Sequence, residues 1–117
     1  MSANARRGEI EAELDGKPQR LCLTLGALAE LESAFAVDDL TALVERLSNG
    51  RFAARDLARI IGAGLRGAGS GITDDEVMGM SAGDGIAGMA AIVSELLEAT
   101  FGRPSRSVSP PANPPAP

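Results

Sequence analysis

The feature that most limits the fold of this chain is a strict alternation of acidic and apolar residues, followed at once by a tight-turn dipeptide. Over residues 9–14 the glutamates fall on one face and the apolar side chains on the other, which is typical of a half-buried β-strand. Asp15-Gly16 then tolerates the positive φ angles of a hairpin turn. The sequence beyond the turn alternates again, with apolar residues at Leu21, Leu23 and Leu25. We therefore expect a hairpin with an acidic outer face, in which Pro18, lacking an N–H, lies at an edge or in the turn region.

Beyond the hairpin the apolar residues recur with the 3.6-residue period of amphipathic helices. The pattern predicts helices over about residues 25–36, from Asp38 or Asp39 to Asn49-Gly50, over 53–66, briefly from Thr73, and over 85–101. Thr24 is the expected N-cap of the first helix, and Thr73 with Glu76 fits a capping box for the fourth. A hairpin is marginal in water by itself, so its apolar face must pack on these helices. The expected fold class is α+β, an N-terminal β-hairpin packed on about four to five short α-helices.

Two of these helices have apolar stripes that should face the core. The third helix has its stripe at Leu57, Ile60, Ile61 and Leu65. The arginines of the same helix, Arg66 among them, should mostly face solvent. On the last helix the apolar side comprises Ile86, Met89, Val93, Leu96, Leu97 and Phe101.

The length of 117 residues leaves room for one domain and a tail. We expect residues 1–8 to be a flexible N-terminus and residues 9–102 to form the domain. Residues 103–117 should be disordered, because they are rich in Pro and Ser and contain Val108 as their single large apolar residue. No stretch approaches the roughly 18 consecutive apolar residues of a membrane span, so no membrane partner is predicted.

The residue types present argue against catalysis. The chain has no His, and Cys22 is its single cysteine, so the common general bases and transition-metal ligands are missing. We predict that the protein is not an enzyme and that it uses no cofactor and no metal. The acidic pairs Asp38-Asp39 and Asp74-Asp75 are interpreted as first-turn residues of helices, where negative charge complements the helix dipole.

A GxGxxG pattern spans Gly62 to Gly67, but a helical segment precedes it where a dinucleotide site would need a strand. We interpret Gly62 and Gly64 as positions where a neighbouring helix approaches closely, and Gly67–Gly71 as a mobile connector.

Candidate binding residues fall into two groups. Met78, Met80 and Met89 cluster late in the chain, and they fill either the core or a groove that accepts apolar helices. Arg55 and Arg59 share one face of the third helix, which is either solvated or directed at an acidic partner. The outward side of the last helix is a further candidate surface. The net charge of −5 disfavours nucleic acid as a partner.

Several segments, taken in order, resemble the gene transfer agent tail protein family, which is grouped with phage tail assembly chaperones and is also labelled tail tube protein. The segments are Arg7-Gly8-Glu9-Ile10, the run LGALAELE from Leu25, and Leu65-Arg66-Gly67-Ala68-Gly69, within about residues 7–102. The resemblance implies a bacterial assembly chaperone that binds the tape-measure protein and the tail tube protein. Because no apolar run follows the two N-terminal arginines, we expect a location in the bacterial cytoplasm.

Two alternatives to the chaperone stay open at this point. The first is a structural tail tube or minor tail subunit, located in the particle tail. The second is a small regulator that binds nucleic acid. The chaperone is favoured because a tube subunit needs extended sheets to build a ring, whereas this pattern offers one hairpin followed by helices. The oligomeric state is not determined by the sequence.

Overall fold

The structure, a computed structural model, describes residues 8–102. They form an antiparallel two-stranded hairpin followed by five helices, which confirms the α+β fold class. In chain order the elements are β1 (Glu9–Leu14), β2 (Lys17–Cys22), α1 (Leu25–Ala34), α2 (Leu40–Ser48), α3 (Ala54–Gly67), α4 (Asp74–Met78) and α5 (Gly85–Phe101). The expectations for residues 1–7 and 103–117 lie outside the described residues.

The hairpin turns where the sequence predicts. Asp15 and Gly16 have φ angles of 55° and 76°, the left-handed pair that matches the twist of two directly joined strands. Leu14 therefore pairs with Lys17, and Pro18 lies opposite Glu13, where its missing N–H removes no bond between the strands.

The second strand is shorter than the alternation of leucines predicts. It ends at Cys22, and Leu25 begins α1 with 80% of its surface exposed. Of the two predictions that include Leu25, the start of the first helix after its N-cap Thr24 is confirmed, and the continuation of the strand alternation to Leu25 is wrong. Thr24 interrupts the strand because its Oγ1 accepts a hydrogen bond from the Ala27 amide at 3.1 Å, so that the backbone turns into the helix.

Side-chain caps start two further helices. The Asp39 carboxylate accepts from the Ala42 amide at 2.8 Å, which identifies Asp39 rather than Asp38 as the N-cap of α2. Thr73 and Glu76 form the predicted capping box at α4.

Helix α3 lies at the centre of the fold, in contact with β2, α1, α4 and α5. Its predicted apolar stripe is buried, with Ile60 and Ile61 completely inaccessible to solvent. Gly64 contacts Leu21 of β2 and Leu96 of α5, where any side chain would overlap Leu96. The close approach predicted at Gly64 is thus confirmed.

The sequence predicts that Gly67 begins a mobile connector, and this prediction is wrong. It is the last residue of α3, and its Cα lies against the carbonyl oxygen of Cys22. The approach is close enough that a Cβ would overlap this oxygen. Gly67 thus belongs to the contact that holds α3 on β2.

Helix α5 buries fewer of the predicted side chains than expected, and it also buries Ile92, which the predicted apolar side did not include. Ile92, Val93 and Leu96 are buried, whereas Ile86 is 67% exposed. The placement of Ile86 on the core side was wrong, because the first turn of α5 extends beyond the core. Met89, Leu97 and Phe101 are half-buried at its margin.

Candidate protein-binding surfaces

A groove of about 490 Å³ lies between α2 and α5. Its walls are mainly apolar, and Glu98 is the charged residue among them. The lining consists of Val44, Leu47, Ser48, Gly50, Phe52, Ala90, Val93, Ser94, Leu97, Glu98, Phe101 and Gly102. We call it the α2–α5 groove.

The groove exists because its two helices are anchored on different partners. Helix α2 packs chiefly on α1 and contributes the buried side chains Leu43 and Leu47, whereas α5 packs on α3 and the hairpin. Where α5 faces α2 its surface includes the small residues Ala90 and Ser94, both exposed. Short side chains cannot bridge the space between the helices, so an apolar channel remains open to solvent.

The three candidate methionines, Met78, Met80 and Met89, all line a second pocket of about 200 Å³. It is formed by α3, α4 and the start of α5, with Ala54 and Ile86 among its walls. Met80 and Met89 pack against the core, whereas Met78 is 46% exposed. Met80 and Met89 thus take part in core packing, and Met78 offers an apolar contact at the surface.

The arginines of α3 do not form one uniform basic face. Arg55 is exposed, but Arg59 is half-buried and donates a hydrogen bond to the carbonyl oxygen of Ala34 at 3.2 Å. Arg59 therefore covers the C-terminal end of α1, where carbonyl groups lack partners within the helix. Arg46 of α2, a basic residue near them in sequence, forms an ion pair with Asp56 at 3.2 Å.

Arg66, expected to face solvent, instead joins three segments. Its guanidinium donates to Glu30 of α1 at 2.7 and 3.1 Å and to the carbonyl oxygen of Ile72 at 3.0 Å. The same Nη1 lies 3.0 Å from Asp74 Oδ1 of α4. Asp74 Oδ1 accepts no hydrogen bond from the described residues, so this contact is an ion pair without an aligned hydrogen bond.

The electrostatics of Arg66 follow from these contacts. Its pKa is raised above the ordinary value, chiefly by the Glu30 hydrogen bond, while burial lowers it and Asp74 raises it further. Asp74 thus has a tertiary role besides its place in the first turn of α4. No group of three or more Cys, Asp or Glu within residues 8–102 is arranged to hold a metal ion.

Comparison with known proteins identifies the family. A family model described as phage tail tube protein, GTA-gp10, matches residues 7–103, which is most of the chain. The chain belongs to this family. The expected relationship to gene transfer agent and phage tail proteins is thereby confirmed. Searches of curated proteins and of solved structures returned no significant match.

The family description distinguishes between the two roles predicted from the sequence, an assembly chaperone and a structural tail subunit. It names a tail tube protein, so it supports the structural alternative more directly than the assembly chaperone. No helix among the described residues is long and apolar enough to cross a membrane.

The sequence indicated part of the candidate surface. The outward side of the last helix was singled out, and Ala90 and Ser94 of that side line the α2–α5 groove. The opposite wall on α2 was missed, because its residues belong to a helix whose pattern indicates only core packing. No pattern in either helix indicates that α2 and α5 face each other across a groove.

Proposed function

We propose that this protein acts in tail assembly as a non-catalytic binding protein, by holding an apolar helix of another tail protein in the α2–α5 groove. The observation that supports the proposal is the groove itself, whose apolar walls reach the surface. An amphipathic helix that inserts its apolar face into such a groove removes both surfaces from water. Membership of a tail protein family makes another tail component the natural partner.

The dimensions of the groove suit a helix. Its α5 wall extends from Ala90 to Phe101, which corresponds to roughly three turns or about 17 Å of helix axis. A partner helix of this length presents apolar residues at positions i, i+3, i+4 and i+7. Glu98 on the same wall favours a helix with a basic residue beside its apolar face.

The proposed partners are the tape-measure protein and the tail tube protein of the same particle. A tape-measure protein that is long and rich in helices would expose apolar faces before the tube encloses it. The α2–α5 groove would cover one such face during assembly and so reduce aggregation. Binding of this kind is reversible, and it needs no cofactor.

The second candidate is a permanent subunit of the tail tube. The description of the family favours it, since it names a tail tube protein. In that role the α2–α5 groove would receive a helix of a neighbouring subunit and remain occupied in the mature particle. The two candidates therefore share a surface and differ in how long it is occupied.

A matched pair of variants tests the use of the groove. Ala90→Arg places a guanidinium on the wall, whereas Ala91→Arg places the same group at an exposed position of α5 outside the groove lining. In pull-downs with the tape-measure and tail tube proteins of the same particle, we expect Ala90→Arg to weaken capture at least about tenfold. Ala91→Arg should bind like the unmodified protein, and thermal melts of both variants establish that they fold.

The outcomes separate the proposals. Equal capture by both variants would show that the groove is not the binding surface, and no interaction with either tail protein would contradict the assembly role. Quantitative mass spectrometry of purified particles then distinguishes the two candidates. Stoichiometric amounts in mature particles support the permanent subunit, and near absence supports the chaperone.

A further inference from the structure

The outer edge of β1 has open hydrogen-bonding positions. Hydrogen-bonded pairs alternate along an antiparallel ladder, and the two-residue turn makes Leu14 and Lys17 such a pair. The N–H and C=O groups of Ala12 therefore face β2, and those of Glu11 and Glu13 face away. Within the described residues the outward groups of Glu11 and Glu13 have no hydrogen-bond partner. A short stretch of strand edge is thus available for pairing.

The same edge already accepts one neighbouring segment. Just beyond Glu13, the Asp15 amide donates to the carbonyl oxygen of Ser81 at 2.8 Å. The Ser81 amide in turn donates to the Asp15 carboxylate at 2.9 Å. This contact continues the outward side of β1 past its last residue, so the geometry of the edge permits an adjacent chain.

The other edge of the hairpin is closed. Pro18 has no N–H to offer to an added strand, and the Cys22 carbonyl oxygen lies against Gly67 at the end of α3. Helix α3 packs along β2, whereas α5 contacts β1 and its end approaches Gly8, at the start of that strand, through Ala99 and Thr100. An incoming strand can therefore pair with β1 but not with β2.

We propose that the outer edge of β1 binds an extended segment of a partner protein as a third strand, with Lys or Arg at alternate positions. The acidic side chains of Glu11 and Glu13 are exposed on the outer face, and basic residues of an adjacent strand lie beside them. The intervening residues of that strand would be apolar, because they cover the half-buried Ile10 and Ala12.

The charge of the edge excludes self-pairing as the favoured arrangement. If β1 of a second copy were added here, glutamates of both copies would lie next to each other, which is destabilising. A basic partner avoids this repulsion. Its backbone forms hydrogen bonds with the open edge of β1, and its side chains neutralise the carboxylates of Glu11 and Glu13. This surface is separate from the α2–α5 groove, so it can act together with that groove or without it.

A charge-exchange experiment tests the proposal with the full-length protein. The probe is a short capped peptide that alternates lysine and valine, and its counterpart alternates glutamate and valine. We expect the lysine peptide to bind the unmodified protein and to protect the Glu11 and Glu13 amides from hydrogen exchange. The double variant Glu11→Lys/Glu13→Lys should bind the lysine peptide about tenfold more weakly and bind the glutamate peptide instead.

Net charge is controlled by a second double variant, Asp38→Lys/Glu45→Lys. It changes the charge equally at exposed positions in and beside α2, whose main contacts are with α1 and not with the hairpin, and it should keep the original preference. A lysine peptide in which the edge-facing amides are N-methylated should not bind. Equal loss in both double variants, protection of amides elsewhere, or concentration-dependent self-association through β1 would each overturn the proposal, as would no binding at millimolar peptide. These results do not depend on the α2–α5 groove.

Discussion

At the scale of single residues, two glycines of α3 have the same helical backbone but different neighbours, so adding a side chain should affect stability differently at each. A Cβ on Gly67 would overlap a backbone carbonyl oxygen of β2, which cannot move without shifting the strand. A Cβ on Gly62 would meet the carboxylate of Asp74, which lies at the end of a side chain that can rotate. Both glycines have helical backbone, so an added Cβ matters through contact and not through φ.

Gly67→Ala should therefore destabilise the fold by roughly 1–3 kcal/mol, because overlap with the Cys22 carbonyl oxygen forces α3 away from β2. Gly62→Ala is the matched control. Its change in stability should be less than about 1 kcal/mol, since the gain in helix propensity offsets the displaced carboxylate. Urea unfolding of both variants measures the difference, and equal stabilities would contradict the close approach at Gly67.

Arg66 of α3 forms ion pairs with Glu30 of α1 and with Asp74 of α4. Arg66→Gln should lower the free energy of unfolding by about 1–2 kcal/mol, because Glu30 and Asp74 lose their cation and the Ile72 carbonyl loses a donor. Arg59→Gln, which removes one hydrogen bond to Ala34, serves as the comparison and should have a smaller effect. A larger loss in Arg59→Gln would be inconsistent with this assignment.

The pH dependence of the Arg66 contribution follows from the direction of its pKa shift. The folded-state pKa is raised, so the stabilisation is fully present below the unfolded-state pKa of arginine and is lost only as pH rises through the folded-state value. The stability difference between the unmodified protein and Arg66→Gln should therefore not change through arginine titration between about pH 6 and pH 9. Urea unfolding across that range measures it.

At the scale of elements, α2 depends on its cap more than the longer helices do. It has nine residues, and its main contacts are with α1. Nucleating so short a helix is unfavourable in water, so each satisfied amide in its first turn matters. Asp39 supplies such a bond, whereas Asp38 precedes it and is exposed.

Asp39→Ala should destabilise the protein by about 1 kcal/mol because the Ala42 amide loses its acceptor. Asp38→Ala removes the same charge one residue earlier and should change stability by less than about 0.5 kcal/mol. Thermal unfolding of the pair, at equal ionic strength, is the measurement. A similar effect in both variants would mean that charge near the helix start, not the cap, stabilises α2.

At the scale of the whole molecule, the helices differ in how many neighbours hold them. Helix α3 contacts the hairpin and three other helices, whereas α2 lies at the periphery. Local opening takes the least free energy where few buried contacts are broken. We therefore expect α2, on one side of the α2–α5 groove, to open locally more easily than the helices that have more neighbours.

Native-state hydrogen exchange should show this difference. We expect the amides of α2 to exchange through local opening, with an opening free energy at least about 1 kcal/mol lower than for α3. The buried Ile60 and Ile61 of α3 should exchange only on global unfolding. Addition of a tail protein that occupies the groove should slow exchange in α2 and leave α3 unchanged. Uniform exchange across both helices would contradict the proposed mobility of α2.

The sequence alone determined the elements and their ends to within a few residues. Features that act between near neighbours in the chain are visible in a linear pattern. They include the alternation over residues 9–14, the Asp15-Gly16 turn and the side-chain caps at Thr24, Asp39 and Thr73. The same locality explains the errors. Alternation alone extends the strand to Leu25, although the predicted cap at Thr24 ends it first, and whether Ile86 is buried depends on how far the core extends.

Only the tertiary structure decided the surfaces on which function is proposed. The α2–α5 groove arises because two helices distant in sequence are anchored on different partners, and neither helix records the other in its pattern. The difference between the two edges of the hairpin depends on where the helices lie, since the Cys22 carbonyl oxygen of β2 is covered by Gly67 of α3 while the outward groups of Glu11 and Glu13 lack partners within the described residues. Periodicity reports which side of an element avoids water, but which sides remain uncovered depends on the placement of every other element.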